Sequence, residues 1–238
     1  MKEHRARRSR EDIVQQLRGV FREFGYEGAT LTRISDETGL GRASLYHHFP
    51  NGKDEMVMAV LEEVESVFDH ELIARLRGDQ PPEERLESMI EHLWNHYQGG
   101  STSCFLAVLA LTSNQGPIGA SVQRIFLKWI EGIAFVLRDA GVPARSATLQ
   151  AEEAVGRIQG SLVLAKATGD PSIFQRVMKA LPKSLLPESE PAKDVRPTES
   201  ARGSAPLDKH RNPVKASDEI RVNTSPVSSR RRDKKLPE

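Results

Sequence analysis

Apolar residues recur at helical spacing along most of this 238-residue chain, and this periodicity is the feature that most restricts its fold. In the first segment they fall at Ile13, Leu17, Val20, Phe21 and Phe24, which places them on one face of a helix. No segment alternates apolar and polar residues as a half-buried strand would. The chain is therefore predicted to be all-α, with about nine helices.

Capping residues, glycines and prolines predict where these helices begin and end. Ser9, with Asp12 three residues later, and Thr30 are candidate N-caps, and Gly25 is expected to end the first helix. A short second helix at 31–38, a Gly-containing turn at 39–41 and a third helix at 42–48 form a helix-turn-helix pattern. Longer helices are predicted at 53–77, 82–97, 104–112, 117–140, 143–169 and 171–186.

Charge and composition divide the chain into three parts. Residues 1–53 carry ten Lys and Arg against seven Asp and Glu, residues 54–186 carry twelve against seventeen, and residues 187–238 carry twelve against nine. A basic front end on an acidic body favours a polyanionic partner for the front end. The last 52 residues hold seven of the fourteen prolines and no aromatic ring, so a disordered tail is predicted at 187–238.

Several classes of function lack the residues that they need. The chain has one cysteine, Cys104, and hence no internal disulfide, which fits a cytoplasmic location, and no apolar run is long enough for a membrane span. His92 and His96 have a ligand-like spacing, but a third metal ligand is missing. No phosphate-binding loop, dinucleotide fingerprint or nucleophile elbow occurs. The sequence therefore predicts neither an enzyme nor a cofactor.

The stretch from Gly41 to Met56 favours nucleic-acid binding instead. Arg42, Ala43 and Ser44 supply small and polar groups at the start of the third helix, as a major-groove helix requires. Donors on stiff side chains follow at Tyr46, His47 and His48. Lys53 opens the next helix, where it can reach a phosphate.

The run LTRISDETGLGRASLYHHF, from Leu31 to Phe49, resembles the DNA-binding domain of the TetR family of transcriptional regulators. The resemblance covers roughly residues 9–61 and places the helix-turn-helix motif at about 30–49. It implies an N-terminal DNA-binding domain at 1–53 and a larger helical ligand-binding and dimerisation domain at 54–186. Gly41, where the family often has Ser, and the longer linker before Lys53 depart from the family pattern.

The resemblance also implies roles for individual residues. Thr30 would meet phosphate, Arg42, Ser44 and His47 would face bases, and Tyr46, His48 and Lys53 would clamp the DNA backbone. A homodimer would form through the last two helices, where small residues would allow close approach of the partner: Ala154, Gly160, Ser161 and Ala165.

Aromatic and polar residues of the middle helices favour a small-molecule pocket. The predicted lining residues are His92, Trp94, His96, Phe105, Gln123, Phe126 and Trp129, and a hydrophobic or aromatic effector is expected. The leading hypothesis is a homodimeric repressor that such an effector releases from palindromic operator DNA. A non-regulatory architectural DNA-binding protein and an α-helical small-molecule-binding protein remain as alternatives.

Overall fold

The structure, a computed structural model of the chain, describes residues 9–113 and 115–186. All regular elements in these ranges are helical, which confirms the predicted fold class. The predicted tail at 187–238 and the residues before Ser9 lie outside the described part of the chain. None of the described helices is both long enough and apolar enough to cross a bilayer.

The first three helices are α1 (Arg10–Gly28), α2 (Leu31–Thr38) and α3 (Arg42–His48). The predicted capping box at the start of α1 is present, because Asp12 N donates to Ser9 Oγ at 3.1 Å and Ser9 N donates to Asp12 Oδ2 at 3.2 Å. Thr30 caps α2 by accepting from Arg33 N at 3.2 Å. Helical geometry breaks at Gly25, where φ is 65° and ψ is −178°.

The turn between α2 and α3 depends on backbone geometry that glycine provides. Gly39 ends α2 in the left-handed region, with φ 63°. Ser35 Oγ donates to the Leu40 carbonyl across this turn. Ile34 on α2 and Leu45 on α3 are fully buried. These contacts fix the two short helices as the predicted helix-turn-helix.

Six further helical segments follow in the described chain, with a 3₁₀ turn (Gln98–Gly100) between the second and the third of them. The segment α4 (Lys53–Phe68) continues through a π-helical turn (Asp69–Ile73) and a short final stretch (Ala74–Leu76). It is followed by α5 (Pro82–His96), α6 (Phe105–Thr112), α7 (Gly116–Asp139), α8 (Ala144–Thr168) and α9 (Ser172–Leu185).

One apolar core extends through all these helices. The helix α1 packs on α2, α4 and α6, and α8 packs between α7 and α9. Buried side chains form a continuous cluster from Ile13 to Leu185. The proposed domain boundary between residues 53 and 54 therefore has no gap in packing, and the division into two domains stays a prediction.

The structure buries three of the four small residues that were predicted to lie in the dimer interface. Ala154, Ser161 and Ala165 are buried against helices of the same protomer, and Leu162 beside them is only 3% exposed. These residues allow α7 and α9 to pack closely on α8. Of the four predicted interface residues, Gly160 alone is exposed.

Candidate nucleic-acid interface and helix-bundle cavity

The short helix α3 presents an exposed face that is held in place by buried anchors. Leu45 and Phe49 are fully buried in the core. Between and before them, Arg42, Ala43, Tyr46 and His47 are exposed, and these four residues are called the reading face below. The anchors set the rotation of α3 about its axis and so decide which side chains point outward.

Other predicted DNA-binding residues flank the reading face. Ser44 and His48 are half-buried, and the rings of His47 and His48 meet edge to face with centroids 5.4 Å apart. The start of α3 has no side-chain cap, as expected from Gly41. Thr30 is exposed, although its hydroxyl already accepts the hydrogen bond that caps α2.

Two basic residues among the predicted DNA-binding residues, Arg42 and Lys53, form hydrogen bonds within the protein. The Arg42 guanidinium donates to Thr32 Oγ1 at 3.1 Å, which holds the side chain between α2 and α3. Lys53 Nζ donates to the Tyr26 carbonyl at 3.0 Å and lies 4.2 Å from the centroid of the Tyr26 ring. Lys53 thus ties the start of α4 to the end of α1 rather than extending into solvent.

Tyr26 is itself fixed by the next residue of α4. Its hydroxyl donates to Asp54. Desolvation, followed by this hydrogen bond to the carboxylate, raises the pKa of Tyr26 to about 12. Tyr26, Lys53 and Asp54 therefore join the end of α1 to the start of α4.

A cavity of about 210 Å³ lies between α1, α4, α5, α6 and α7. Four of the predicted pocket residues line it, namely His92, His96, Phe105 and Trp129. Val64, Phe68 and Leu106 add apolar wall. No group of three or more potential metal ligands occurs within the described residues.

Three of the predicted pocket residues lie elsewhere. Trp94 is two residues from His92, so it projects about 200° away around α5, where its ring meets that of Phe174 on α9 at 6.4 Å. Gln123 is exposed and borders a surface groove beside the π-helical turn. Phe126 stacks on Trp129 with centroids 6.4 Å apart but does not line the cavity.

Sequence reasoning missed the contribution of α1 to the cavity. Arg18 and Arg22 lie one helical turn apart and line the cavity with His92 and His96, which are at least 70 residues away in the sequence. Tyr97 and Cys104 also line it, from the segment between α5 and α6. The i, i+4 spacing of Arg18 and Arg22 places both side chains on one side of α1. Nothing in the sequence indicates which element faces that side.

The two cavity histidines favour the neutral state. Desolvation, with the nearby Arg75 as the next cause, lowers the pKa of His92. The pKa of His96 falls to about 4, because its ring is desolvated and His92, Arg18 and Arg22 place positive charge near it. The imidazoles can therefore exchange hydrogen bonds with a ligand at pH 7 without bringing charge.

Comparisons with known proteins match this architecture at both ends. Residues 13–60 match the model for bacterial regulatory proteins of the tetR family. Residues 82–180 match the model for the C-terminal domain of LmrA/YxaF-like transcriptional regulators. The two matches together extend from α1 into α9.

Two curated relatives from Bacillus subtilis match along nearly their whole length, and a third relative matches over less than half of its length. The chain is 22% identical over 178 residues to the Bacillus subtilis HTH-type transcriptional regulator YxaF, covering 73% of this chain and 93% of YxaF. It is 21% identical to LmrA of the same organism, covering 74% and 96%. The HTH-type transcriptional repressor AcnR of Corynebacterium glutamicum is 35% identical over 86 residues, which is 34% of this chain and 45% of AcnR.

Solved structures share the fold. A TetR transcriptional regulator from Legionella pneumophila aligns with a TM-score of 0.67 at 18% identity, covering 76% of this chain and 99% of its own. A TetR-family regulator from Agrobacterium tumefaciens aligns with a TM-score of 0.65 at 23% identity, covering 75% and 97%. With a helix-turn-helix at its N-terminus and a matching C-terminal helical domain, the chain belongs to the TetR family of transcriptional regulators.

Proposed function

We propose that this protein is a homodimeric repressor that binds double-stranded operator DNA through α3 and leaves it when a small molecule fills the cavity. The observation that carries this proposal is the position of α1. One side of α1 packs on α2, and Arg10 at its start lies 5.0 Å from the ring of Phe49, which anchors the end of α3. Farther along, Arg18 and Arg22 border the cavity.

The proposed contacts with DNA follow from exposure and chemistry. Arg42, Ser44 and His47 face base edges in the major groove, where Ala43 permits close approach. Tyr46 and His48 donate to phosphates, as Thr30 does from the start of α2. Lys53 contributes through its charge, since its ammonium group is engaged with Tyr26.

The proposed dimer forms through α8 and α9. Along α8, exposed residues at spacings of seven, four and three form a stripe that turns away from the protomer core: Leu149, Gly156, Gly160 and Val163. A Cβ placed at either glycine would meet nothing within 4 Å. A second copy can therefore approach this face closely, and a two-fold dimer presents two α3 helices to successive major grooves about 34–36 Å apart.

Ligand binding would change the separation of the two α3 helices in the dimer. A molecule held against Arg18 or Arg22 on one side and α5 on the other favours one position of α1 relative to the body. If that position differs from the DNA-bound one, the ligand weakens DNA binding by its differential affinity, typically about 1–3 kcal/mol. Operator DNA must then weaken ligand binding by the same factor. The repressor AcnR, named above, supports repression rather than activation.

Selection of bound fragments from a random duplex library tests this function. The expected result is one short palindrome, with half-sites centred about one helical turn apart or a multiple of it. Footprinting on that sequence should protect both half-sites. Broad protection of unrelated sequences would favour the architectural alternative, and recovery of no DNA would overturn the proposal.

A further inference from the structure

The cavity wall is basic on the side formed by α1. Arg18 and Arg22 line it, and no Asp or Glu of the described residues does. Arg18 Nη1 lies 3.5 Å from the Glu63 carboxylate, a long contact between two partly exposed side chains. Arg22 is half-buried and has no ion-pair partner in the described ranges 9–113 and 115–186. A half-buried guanidinium that lines a cavity can bind a carboxylate through charge-assisted hydrogen bonds.

The lining also contains aromatic side chains, and one of them has an unpaired donor. These side chains are Phe68, Phe105 and Trp129. Trp129 is only 1% exposed, and its indole Nε1 has no hydrogen-bond partner among the described residues. A buried N–H without an acceptor carries an uncompensated desolvation cost. A ligand that carries an oxygen atom to this position would recover part of that cost.

The volume restricts the size of the ligand. At about 210 Å³ the cavity is smaller than the roughly 300–1,000 Å³ that is common for drug-sized ligands. A single ring or a short chain with one charged group fits this space better than a polycyclic compound. The low pKa of His96 agrees with a positive potential here, since Arg18 and Arg22 are among its causes.

We propose that the effector is a small organic carboxylate whose anionic end lies between Arg18 and Arg22 and whose apolar body packs on Phe68, Phe105 and Trp129. This inference rests on the proposed function, in which the cavity is the effector site. The planar guanidinium group binds a carboxylate through two parallel hydrogen bonds, which an ester or amide of the same shape cannot replace. Both arginines belong to α1, which supports the reading face. The ion pair that binds the ligand therefore also favours one position of this helix.

Matched ligand pairs test the charge requirement. The probes are phenylacetate and 3-phenylpropionate, each compared with its methyl ester and its primary amide. Trp94→Phe leaves Trp129 as the single tryptophan of the chain, so its fluorescence reports the cavity, and the melting temperature of the wild-type protein is a second readout. We expect at least one acid to bind at least tenfold more tightly than its ester and amide. Equal binding of acid and ester, or binding of neither acid, overturns the proposal.

Variants of Arg22 locate the anion. Arg22→Met should weaken the acid at least tenfold, and Arg22→Lys, which keeps the charge, should restore part of the loss. Arg145→Met removes an exposed arginine that lines no described cavity, and the acid should bind it as it binds the wild type. Far-ultraviolet circular dichroism checks that each variant is folded. Full acid affinity in folded Arg22→Met would exclude the assigned ion pair.

Phenyl phosphate and operator DNA complete the experiment. If phenyl phosphate binds more tightly than both acids, the choice of a carboxylate is overturned.

The selected operator is titrated with and without the acid, and the acid should weaken DNA binding while its ester should not. An operator bound tightly by a protein that binds no acid would refute only this inference, whereas failure to select any DNA would refute the proposed function.

Discussion

On α3, each buried residue fixes the direction of its exposed neighbours. Leu45 and Phe49 fill the core, so Tyr46 and His47 must project outward about 100° apart. Tyr46 is 44% exposed, and its ring lies against Gly52, where an added Cβ would be 3.6 Å from Cε1. Tyr46 is thereby supported on one side and open on the other, while His47 is exposed beside it.

Substitutions at these two positions should have different consequences for DNA binding. Tyr46→Phe removes one phosphate donor and should weaken binding to all sequences by a similar factor. His47→Ala should relax preference at particular base pairs, by roughly 1–3 kcal/mol. Binding to the selected operator and to its single-base variants measures both effects. His70→Ala, an exposed histidine on the π-helical turn, is the matched control and should change neither. Uniform weakening by His47→Ala would argue against a base contact.

At this scale, helical phase was predictable from the sequence, but contacts between distant residues were not. The anchors Leu45 and Phe49 follow from the apolar pattern of one short segment. The absence of Trp94 from the cavity also follows from its angle to His92, once the side of α5 that faces the cavity is known. The participation of Arg18 and Arg22 depends on how α1 packs on α4 and α6, which local spacing does not specify.

Between elements, an ion-pair network joins α4 to α7. Glu65 accepts from Arg124 at 2.6 Å and from Lys128 at 2.8 Å, and Lys128 also donates to Asp69 on the π-helical turn at 2.7 Å. The Arg124 hydrogen bond is the main cause that lowers the pKa of Glu65 to about 2. The paired residues lie 59 to 63 positions apart in the sequence, and no pattern in either helix predicted their contact.

Glu65→Gln should lower the free energy of unfolding at pH 7 by about 1 kcal/mol, the upper range for solvent-screened pairs. The folded state binds fewer protons than the unfolded state between pH 2 and the ordinary pKa of 4.5, so the stabilisation is complete above 4.5 and disappears as pH falls towards 2. Urea unfolding at pH 7 and at pH 2.5 measures this change. Glu62 on the same helix is exposed. The free energy of unfolding of Glu62→Gln should therefore stay within about 0.5 kcal/mol of the wild-type value. A pH-independent effect of Glu65→Gln would exclude the ion-pair explanation.

The turn between α5 and α6 depends on a glycine that packs against α9. Gly100 has φ +101°, and an added Cβ would lie 2.7 Å from the Cβ of Phe174. Gly100→Ala should therefore destabilise the protein by roughly 1–3 kcal/mol through backbone strain alone, with steric overlap in addition. Gly19→Ala, where a Cβ meets nothing within 4 Å on α1, should be neutral or stabilising by about 0.5–1 kcal/mol. Thermal unfolding compares the two, and equal melting temperatures would contradict this account.

At the scale of the whole molecule, the order and approximate number of the main helices in the described residues were predictable, because each has its own apolar period and end signals. The face proposed for the dimer was not predictable, since the small residues of α8 occur on two sides of that helix. Ala154, Ser161 and Ala165 face the protomer core, whereas Gly156 and Gly160 face outward. Only the positions of α7 and α9 distinguish the two sides, and these positions come from tertiary packing.

Charge at the outward side of α8 should separate the proposed dimer into monomers. Val163→Glu places a carboxylate on the exposed stripe, where two copies would be brought together across the two-fold axis and desolvated. Leu127→Glu on α7 is a matched control, because Leu127 and Val163 are both 56% exposed and Leu127 borders the surface groove beside the π-helical turn. Light scattering should give twice the 26.5 kDa chain mass for the wild type and for Leu127→Glu, and a single chain mass for Val163→Glu.

The affinity for operator DNA should also fall in Val163→Glu, because the single α3 helix of a monomer can occupy only one half-site. A Val163→Glu protein that keeps the double mass would show that this face of α8 does not form the dimer. A monomer that still binds the full operator with wild-type affinity would remove dimerisation from the proposed mechanism.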